Sequence, residues 1–196
     1  MSIRLVLFGP PGAGKGTQAI RLAERLRVPT ISTGDIFSAN QAGDTELGRK
    51  VVGYTSTGRL VPDELTDALV ADRLAQPDAA DGFLLDGYPR NPAQAAALDS
   101  LLEASGLELA LVVELAVDPD AVTQRLLKRA QIEGRVDDTE DVIRHRLRVY
   151  AEQTEPLAEL YVNRGILAQV DGLGEVDDVT DRLVAAIEQF VGSLPE

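Results

Sequence analysis

No cysteine occurs in the 196 residues, which excludes disulfides, thiol catalysis and thiolate zinc sites. His145 is the single histidine, so a histidine-based metal cluster is excluded too. Tryptophan is absent and aromatic residues make up only 4%, so the core must be mainly aliphatic; the hydrophobic content of 44% is enough to build one. Positive charge is also scarce. Lys and Arg number 19 against 32 Asp and Glu, a net charge of −13, which argues against a sequence-independent nucleic-acid binder. A small polyphosphate is not excluded, because local arginines decide that. No stretch approaches the ~20 apolar residues that span a bilayer. The N-terminal apolar run is too short for a signal peptide. A cytoplasmic protein without membrane or nucleic-acid partners is expected. With no long apolar stripe to argue for a dimer, it is expected as a monomer. The length favours one domain over residues 1–196.

What is present begins at Gly9-Pro10-Pro11-Gly12-Ala13-Gly14-Lys15-Gly16-Thr17. The apolar run Ile3–Phe8 precedes it and a helical pattern from Gln18 to Leu26 follows. Strand, glycine loop and helix start is the context that makes a phosphate site. Glycines let backbone N–H groups curl around an anion, the helix start adds partial positive charge, and Lys15 adds a full one. The hydroxyl usually found directly after the lysine is displaced by Gly16 to Thr17. Direct metal ligation from position 16 is therefore impossible. Thr17 is left to hold a phosphate oxygen or to reach a metal through water.

Strand-like and helix-like segments alternate, the pattern of a parallel α/β sheet. The predicted strands are Ile3–Phe8, Thr30–Ser32, Phe83–Asp86, Ala110–Leu115 and Ile166–Val170. Between Thr33 and Val61 stand two helical patterns with no strand, an insertion of about residues 32–61. A short polar loop of about residues 129–138 breaks the pattern again. Both follow strands, and ligands of such sheets bind beyond the strands' carboxyl ends. Thr139 is a predicted N-cap for a helix reaching Asn163, bent or broken at Pro156. Val176–Val191 reads as an amphipathic closing helix ending at Gly192.

The second chemical signal is Gly82-Phe83-Leu84-Leu85-Asp86-Gly87-Tyr88-Pro89-Arg90, an apolar strand ending in a carboxylate. Beside a phosphate loop, Asp86 suits the water shell of a Mg²⁺ ion. Arg90 has the planar fork and permanent charge that phosphate oxygens favour. Gln94, four residues on and on the same helical face, offers one hydrogen-bond donor and one acceptor. Arg125 and Arg129 share a helix face by their spacing.

These segments resemble the adenylate kinases of the nucleoside monophosphate kinase family. The loop through Gln18 matches that family's Gly-x-Pro-Gly-x-Gly-Lys-Gly-Thr-Gln. Asp86-Gly87-Tyr88-Pro89-Arg90 with Gln94, Ser32-Thr33-Gly34-Asp35, Gly58-Arg59-Leu60-Val61-Pro62-Asp63, Gly134-Arg135-Val136-Asp137-Asp138 and Arg146-Leu147 with Tyr150 follow in family order. The resemblance implies a P-loop, three-layer α/β fold with a five-stranded parallel sheet, a helical monophosphate-binding insertion and a short lid. It implies transfer of phosphoryl between MgATP and AMP to give two ADP. ATP would be held by Gly12, Ala13, Gly14, Lys15, Gly16, Thr17, Arg125 and Arg129. AMP would be held by Thr33, Gly34, Leu60, Val61, Gly87, Arg90, Gln94, Arg135 and Arg146. Lys15, Arg90, Arg129, Arg135 and Arg146 would be catalytic, with Asp86 and Thr17 reaching Mg²⁺ through water. The loop is too short for the longer lid, and without cysteine no zinc is expected. His145 has no implied role and is expected at the surface, as are Arg144 and Arg148.

One position departs from the family pattern. Ser38 stands where an arginine usually contacts the AMP phosphate. Losing a charge-assisted hydrogen bond costs roughly 1.5–3 kcal/mol, so weak AMP binding is expected; a changed acceptor preference is the other reading. Rival functions are a UMP- or CMP-directed kinase and, in a different class, a P-loop ATPase or nucleotide-binding protein.

Overall fold

The computed structural model describes residues 3–118, 121–127 and 139–192. Five strands form one parallel sheet: β1 (Ile3–Phe8), β2 (Thr30–Ser32), β3 (Gly82–Asp86), β4 (Leu111–Ala116) and β5 (Leu167–Asp171), in the order β2-β3-β1-β4-β5. Successive strand residues point to opposite faces, and both faces are covered. Leu5, Leu7 and Leu84 pack under α1 (Lys15–Leu26) and α9 (Val176–Val191). Val6, Phe8, Phe83 and Leu85 pack under α4 (Asp63–Leu74), α5 (Pro92–Glu103) and α8 (Pro156–Asn163). The result is three layers with an aliphatic core, as the composition required. Among the described residues, no helix is long and apolar enough to cross a membrane.

The predicted strands are all present, each bound within a residue or so of its expected place. The two helical patterns after β2 are α2 (Thr33–Ala42) and α3 (Glu46–Thr55), outside the strand alternation. Ser32 caps α2, its Oγ accepting from the Asp35 N–H at 3.2 Å. Part of the Ser32–Asp35 motif is therefore helix-start chemistry. Residues 121–127 form α6, which packs Val122 and Leu126 on Ile143 of α7 (Glu140–Val149).

Thr139 caps α7 as expected, accepting from Val142 N–H. The break before Pro156 takes the form of a π-helical turn, Tyr150–Thr154, after which α8 starts with the proline in its first turn. Pro156 has no N–H to give a continuing ladder, and first-turn positions need none. Gln18 ties α1 to α9: its Nε2 donates to Val176 O at 2.9 Å and its Oε1 accepts from Thr180 Oγ1 at 2.8 Å. The loop of about residues 129–138 lies outside the described residues.

Candidate active site

β1 delivers the glycine loop and β3 delivers Asp86 to the same sheet edge, because the two strands pair in register from Ile3↔Gly82 to Leu7↔Asp86. Gly12 turns at φ 84°, where a Cβ would stand 2.8 Å from Leu126 Cγ, so only glycine fits there. Helix α1 then starts at Lys15 without a side-chain cap. Uncapped first-turn N–H groups are the usual anion-binding end of a helix. Lys15 Nζ curls back over this loop, donating to Gly9 O at 2.8 Å and Pro10 O at 3.0 Å. Ala13 is buried, while Thr17 is exposed on the first turn of α1.

Asp86 is buried at the end of β3, facing Gly16: its Oδ2 is 3.8 Å from where a Cβ on Gly16 would stand. Burial pushes the Asp86 carboxyl above the ordinary range, Lys15 and Arg90 pull it back, and Asp35 adds to the rise. Among the described residues, no cluster of three or more His, Cys, Asp or Glu could enclose a metal by itself. A lone carboxylate beside a phosphate loop nevertheless fits Mg²⁺, which keeps waters and takes its other ligands from phosphates.

Arg90 is held from several directions. Its Nε donates to Gly87 O at 2.7 Å, its backbone N–H donates to Gln94 Oε1 at 2.7 Å, and its carbonyl accepts from Thr154 Oγ1 at 2.7 Å. Burial lowers the guanidinium pKa, Asp86 opposes this and Arg146 reinforces it; an arginine stays charged throughout. Gly87 sits at φ 80° between Arg90 and Thr33, each with an atom 3.0 Å from where its Cβ would be. A side chain here would displace the clamp.

Lys15, Arg90 and Arg146 line one cavity of about 270 Å³. Gly34, Ser38, Leu60, Val61 and Gly87 line it as well, which brings together most of the acceptor residues expected from sequence. Arg146 also donates to Thr55 O at 3.3 Å, joining α7 to the end of α3. Two expected acceptor residues are buried beside the cavity's lining residues and are not among them. Thr33 is buried and spends its hydroxyl hydrogen on Gly87 O at 3.0 Å. Gln94 is 2% exposed and bonds to Asp63 and Arg90. Arg125 stands apart from the cavity, donating to Gly172 O at 3.2 and 3.3 Å beyond the end of β5. Arg129 and Arg135 lie outside the described residues.

His145 is half-buried rather than exposed. Its Cδ2 is 3.2 Å from where a Cβ on Gly58 would be, because α7 packs directly on that glycine. Arg144 pairs with Glu140 on the exposed face, as expected of a solvated arginine. Thr154, Arg59 and Asp63, the side-chain partner of Gln94, have no role assigned from the sequence, although Arg59 and Asp63 stand in the Gly58–Asp63 motif. Arg59 lines the cavity and lies over the Tyr54 ring at 5.4 Å. Thr154 reaches Arg90 from the π-helical turn, a local geometry that no spacing in the sequence announces.

Comparison with known proteins agrees with this geometry. The family model described as adenylate kinase matches residues 7–166. An adenylate kinase of Kocuria rhizophila is 58% identical over 186 residues, covering 95% of this chain and 99% of that protein. One of Thermobifida fusca is 55% identical, covering 95% and 98%. One of Micrococcus luteus is 53% identical over 195 residues, covering 98% and 95%. A glycine loop, a carboxylate at the neighbouring strand end and a cation-lined cavity, carried by a sequence this similar, leave one assignment: the chain belongs to the adenylate kinase family and is a nucleoside monophosphate kinase.

Proposed function

We propose that this chain catalyses MgATP + AMP ⇌ 2 ADP by direct transfer, with no covalent enzyme intermediate. The observation that carries this reading is that Lys15 from the glycine loop, Arg90 from the segment after β3 and Arg146 from α7 line one and the same cavity. Phosphoryl transfer spreads charge over the equatorial oxygens, and fixed cations around that point lower the barrier. Lys15 leaves its loop carbonyls for the ATP phosphates, with Gly12, Ala13, Gly14, Gly16 and Thr17 offering backbone or hydroxyl donors. Arg90 clamps the AMP phosphate so that its oxygen attacks the γ-phosphoryl in line. Arg146, with Arg129 and Arg135, covers the transferring group. Arg125 lies against the donor base.

Gln94 reads the AMP base, Gly34, Leu60 and Val61 wall it, and Thr33 holds Gly87 in place beneath it. Asp86 and Thr17, both through water, are the residues that would hold Mg²⁺. When bound, that ion neutralises phosphate charge. Closure of the insertion of about residues 32–61 and of the lid of about residues 129–138 excludes water and so suppresses hydrolysis. The working protein is read as a cytoplasmic monomer with no nucleic-acid or membrane partner, in keeping with its net charge of −13.

Ser38 is the observation that favours a second acceptor, since it lines the cavity where an arginine is expected. A coupled assay of ADP formation tests both readings. ADP should appear only when AMP accompanies MgATP. Preference for UMP or CMP would move the acceptor assignment, and ATP hydrolysis independent of any monophosphate would replace the kinase reading with an ATPase.

A further inference from the structure

Asp63 opens α4 two positions after Val61, which with Leu60 lines the cavity. Its Oδ1 accepts from Gln94 Nε2 at 2.7 Å and from Asn91 Nδ2 at 3.0 Å. At the other end of the same amide, Gln94 Oε1 accepts from the Arg90 N–H at 2.7 Å. Asn91 completes the arrangement, its Oδ1 accepting from the Gln94 N–H at 2.9 Å as the cap of α5.

An amide has nearly the same shape in either of its two orientations, so its neighbours decide which end donates and which accepts. A backbone N–H can only donate and a carboxylate can only accept. Placed at opposite ends of the Gln94 amide, they permit one orientation. The reversed orientation would set NH₂ against N–H at Arg90 and oxygen against oxygen at Asp63. In the permitted orientation one amide hydrogen and one oxygen lone pair stay unspent. That pair complements a 6-aminopurine, which accepts at N1 and donates from its amino group. A 6-oxopurine has the inverse pattern, donating at N1 and accepting at O6, and would require the forbidden orientation.

We infer that Asp63 is a positioning residue that fixes the donor–acceptor sense of Gln94 and thereby sets selectivity for 6-amino over 6-oxo purine monophosphates. It touches neither nucleotide and acts through Gln94. The inference rests on the reading of Gln94 as the base contact.

The test compares kcat/KM for AMP and for inosine monophosphate in the full-length enzyme. Wild type, Gln94→Ala, Asp63→Asn, Asp63→Ala and the double variant Asp63→Ala/Gln94→Ala are assayed together. Asp63→Asn keeps the shape but can donate as well as accept, so it no longer enforces one orientation. Asp63→Ala should lower the AMP-to-IMP ratio about tenfold, the scale of one charge-assisted hydrogen bond. Asp63→Asn should lower it by a smaller factor, with the KM for IMP falling. On the Gln94→Ala background, Asp63→Ala should leave the ratio where Gln94→Ala put it. If Gln94→Ala itself leaves the ratio unchanged, the base-contact reading fails. If Gln94→Ala lowers the ratio while neither Asp63 variant does, the role given to Asp63 fails alone. Equal losses toward both nucleotides that persist on the Gln94→Ala background would mark Asp63 as merely structural and overturn the inference. Should Asp63→Ala not fold, the Asn variant decides.

Discussion

The sheet and the α2–α3 pair bury side chains equally deeply but in very different numbers. Around the strands, Leu5, Leu84, Leu85, Leu111, Val112 and Leu115 belong to two continuous clusters that run across both faces. The α2–α3 region has its own small cluster, Phe37, Val51 and Val61, with Leu47, Tyr54, Leu65 and Leu69 partly buried against it. Stability is therefore concentrated in the frame, and the wall that carries Ser38 and Arg59 is attached to it lightly. Elements that open and close over ligands come from the less stable part of a structure. The end of β3 holds Asp86, and Gly87, Gln94 and Thr154 hold Arg90, while the lightly packed helices are suited to admit and cover a nucleotide.

The largest expected effect separates chemistry from frame. Arg90→Ala should lower kcat by roughly a thousandfold, the scale of losing a transition-state arginine, while leaving the sheet's melting transition close to wild type. A variant that unfolded instead would mean that the cation cluster is part of the frame.

Leu111→Ala and Val51→Ala test the comparison directly, since both side chains are 0% exposed. Leu111→Ala should cost about 2–5 kcal/mol, lowering Tm by roughly 5–20 °C in a chain of this size. Val51→Ala should leave the main transition nearly unmoved and instead speed hydrogen exchange of the α2 and α3 amides. Equal losses of Tm would erase the distinction between the two regions.

Ser38→Arg sharpens the role of the lightly held wall. Restoring a guanidinium there should lower the KM for AMP about 10- to 100-fold, with kcat largely kept. Steady-state saturation with AMP checks it, and no gain in affinity would remove Ser38 from the acceptor site.

The smallest effect concerns Asp86. Its carboxyl is pushed above the usual range, chiefly by burial, so the folded state holds its proton to higher pH than the unfolded chain does. Stability from this group is full below the unfolded carboxylate pKa and declines as pH rises through the folded one. Asp86→Asn should therefore melt slightly higher than wild type at pH 7, the difference vanishing at acidic pH, while losing activity. Melting curves across pH check the sign; a variant less stable than wild type at pH 7 would contradict it.

Much of this was legible in the sequence because its signals are local. The apolar runs at Ile3–Phe8, broken only by Arg4, and at Leu109–Val113 read as strands covered on both faces, and the glycine loop between β1 and α1 reads as one unit. Thr139 and Gly192 marked helix ends through cap chemistry. What stayed hidden depends on contacts far apart in the chain. The hydroxyl of Thr33 is claimed by Gly87 across 54 positions. The amide of Gln94 is claimed by Asp63 across 31. His145 looked like a surface residue because nothing in its helix pattern reveals that Gly58 packs against it. The π-helical turn at Tyr150–Thr154 leaves no periodic trace, yet it delivers Thr154 to Arg90.

The central claim is that one crevice takes two nucleotides with their phosphates meeting at Lys15 and Arg90. Titration calorimetry on the intact chain tests it, using ADP alone and then two adenosines joined by a pentaphosphate. The account predicts two ADP per chain and one dinucleotide per chain, the dinucleotide abolishing all ADP binding. A single ADP per chain, or a dinucleotide that leaves one ADP still bound, would contradict it.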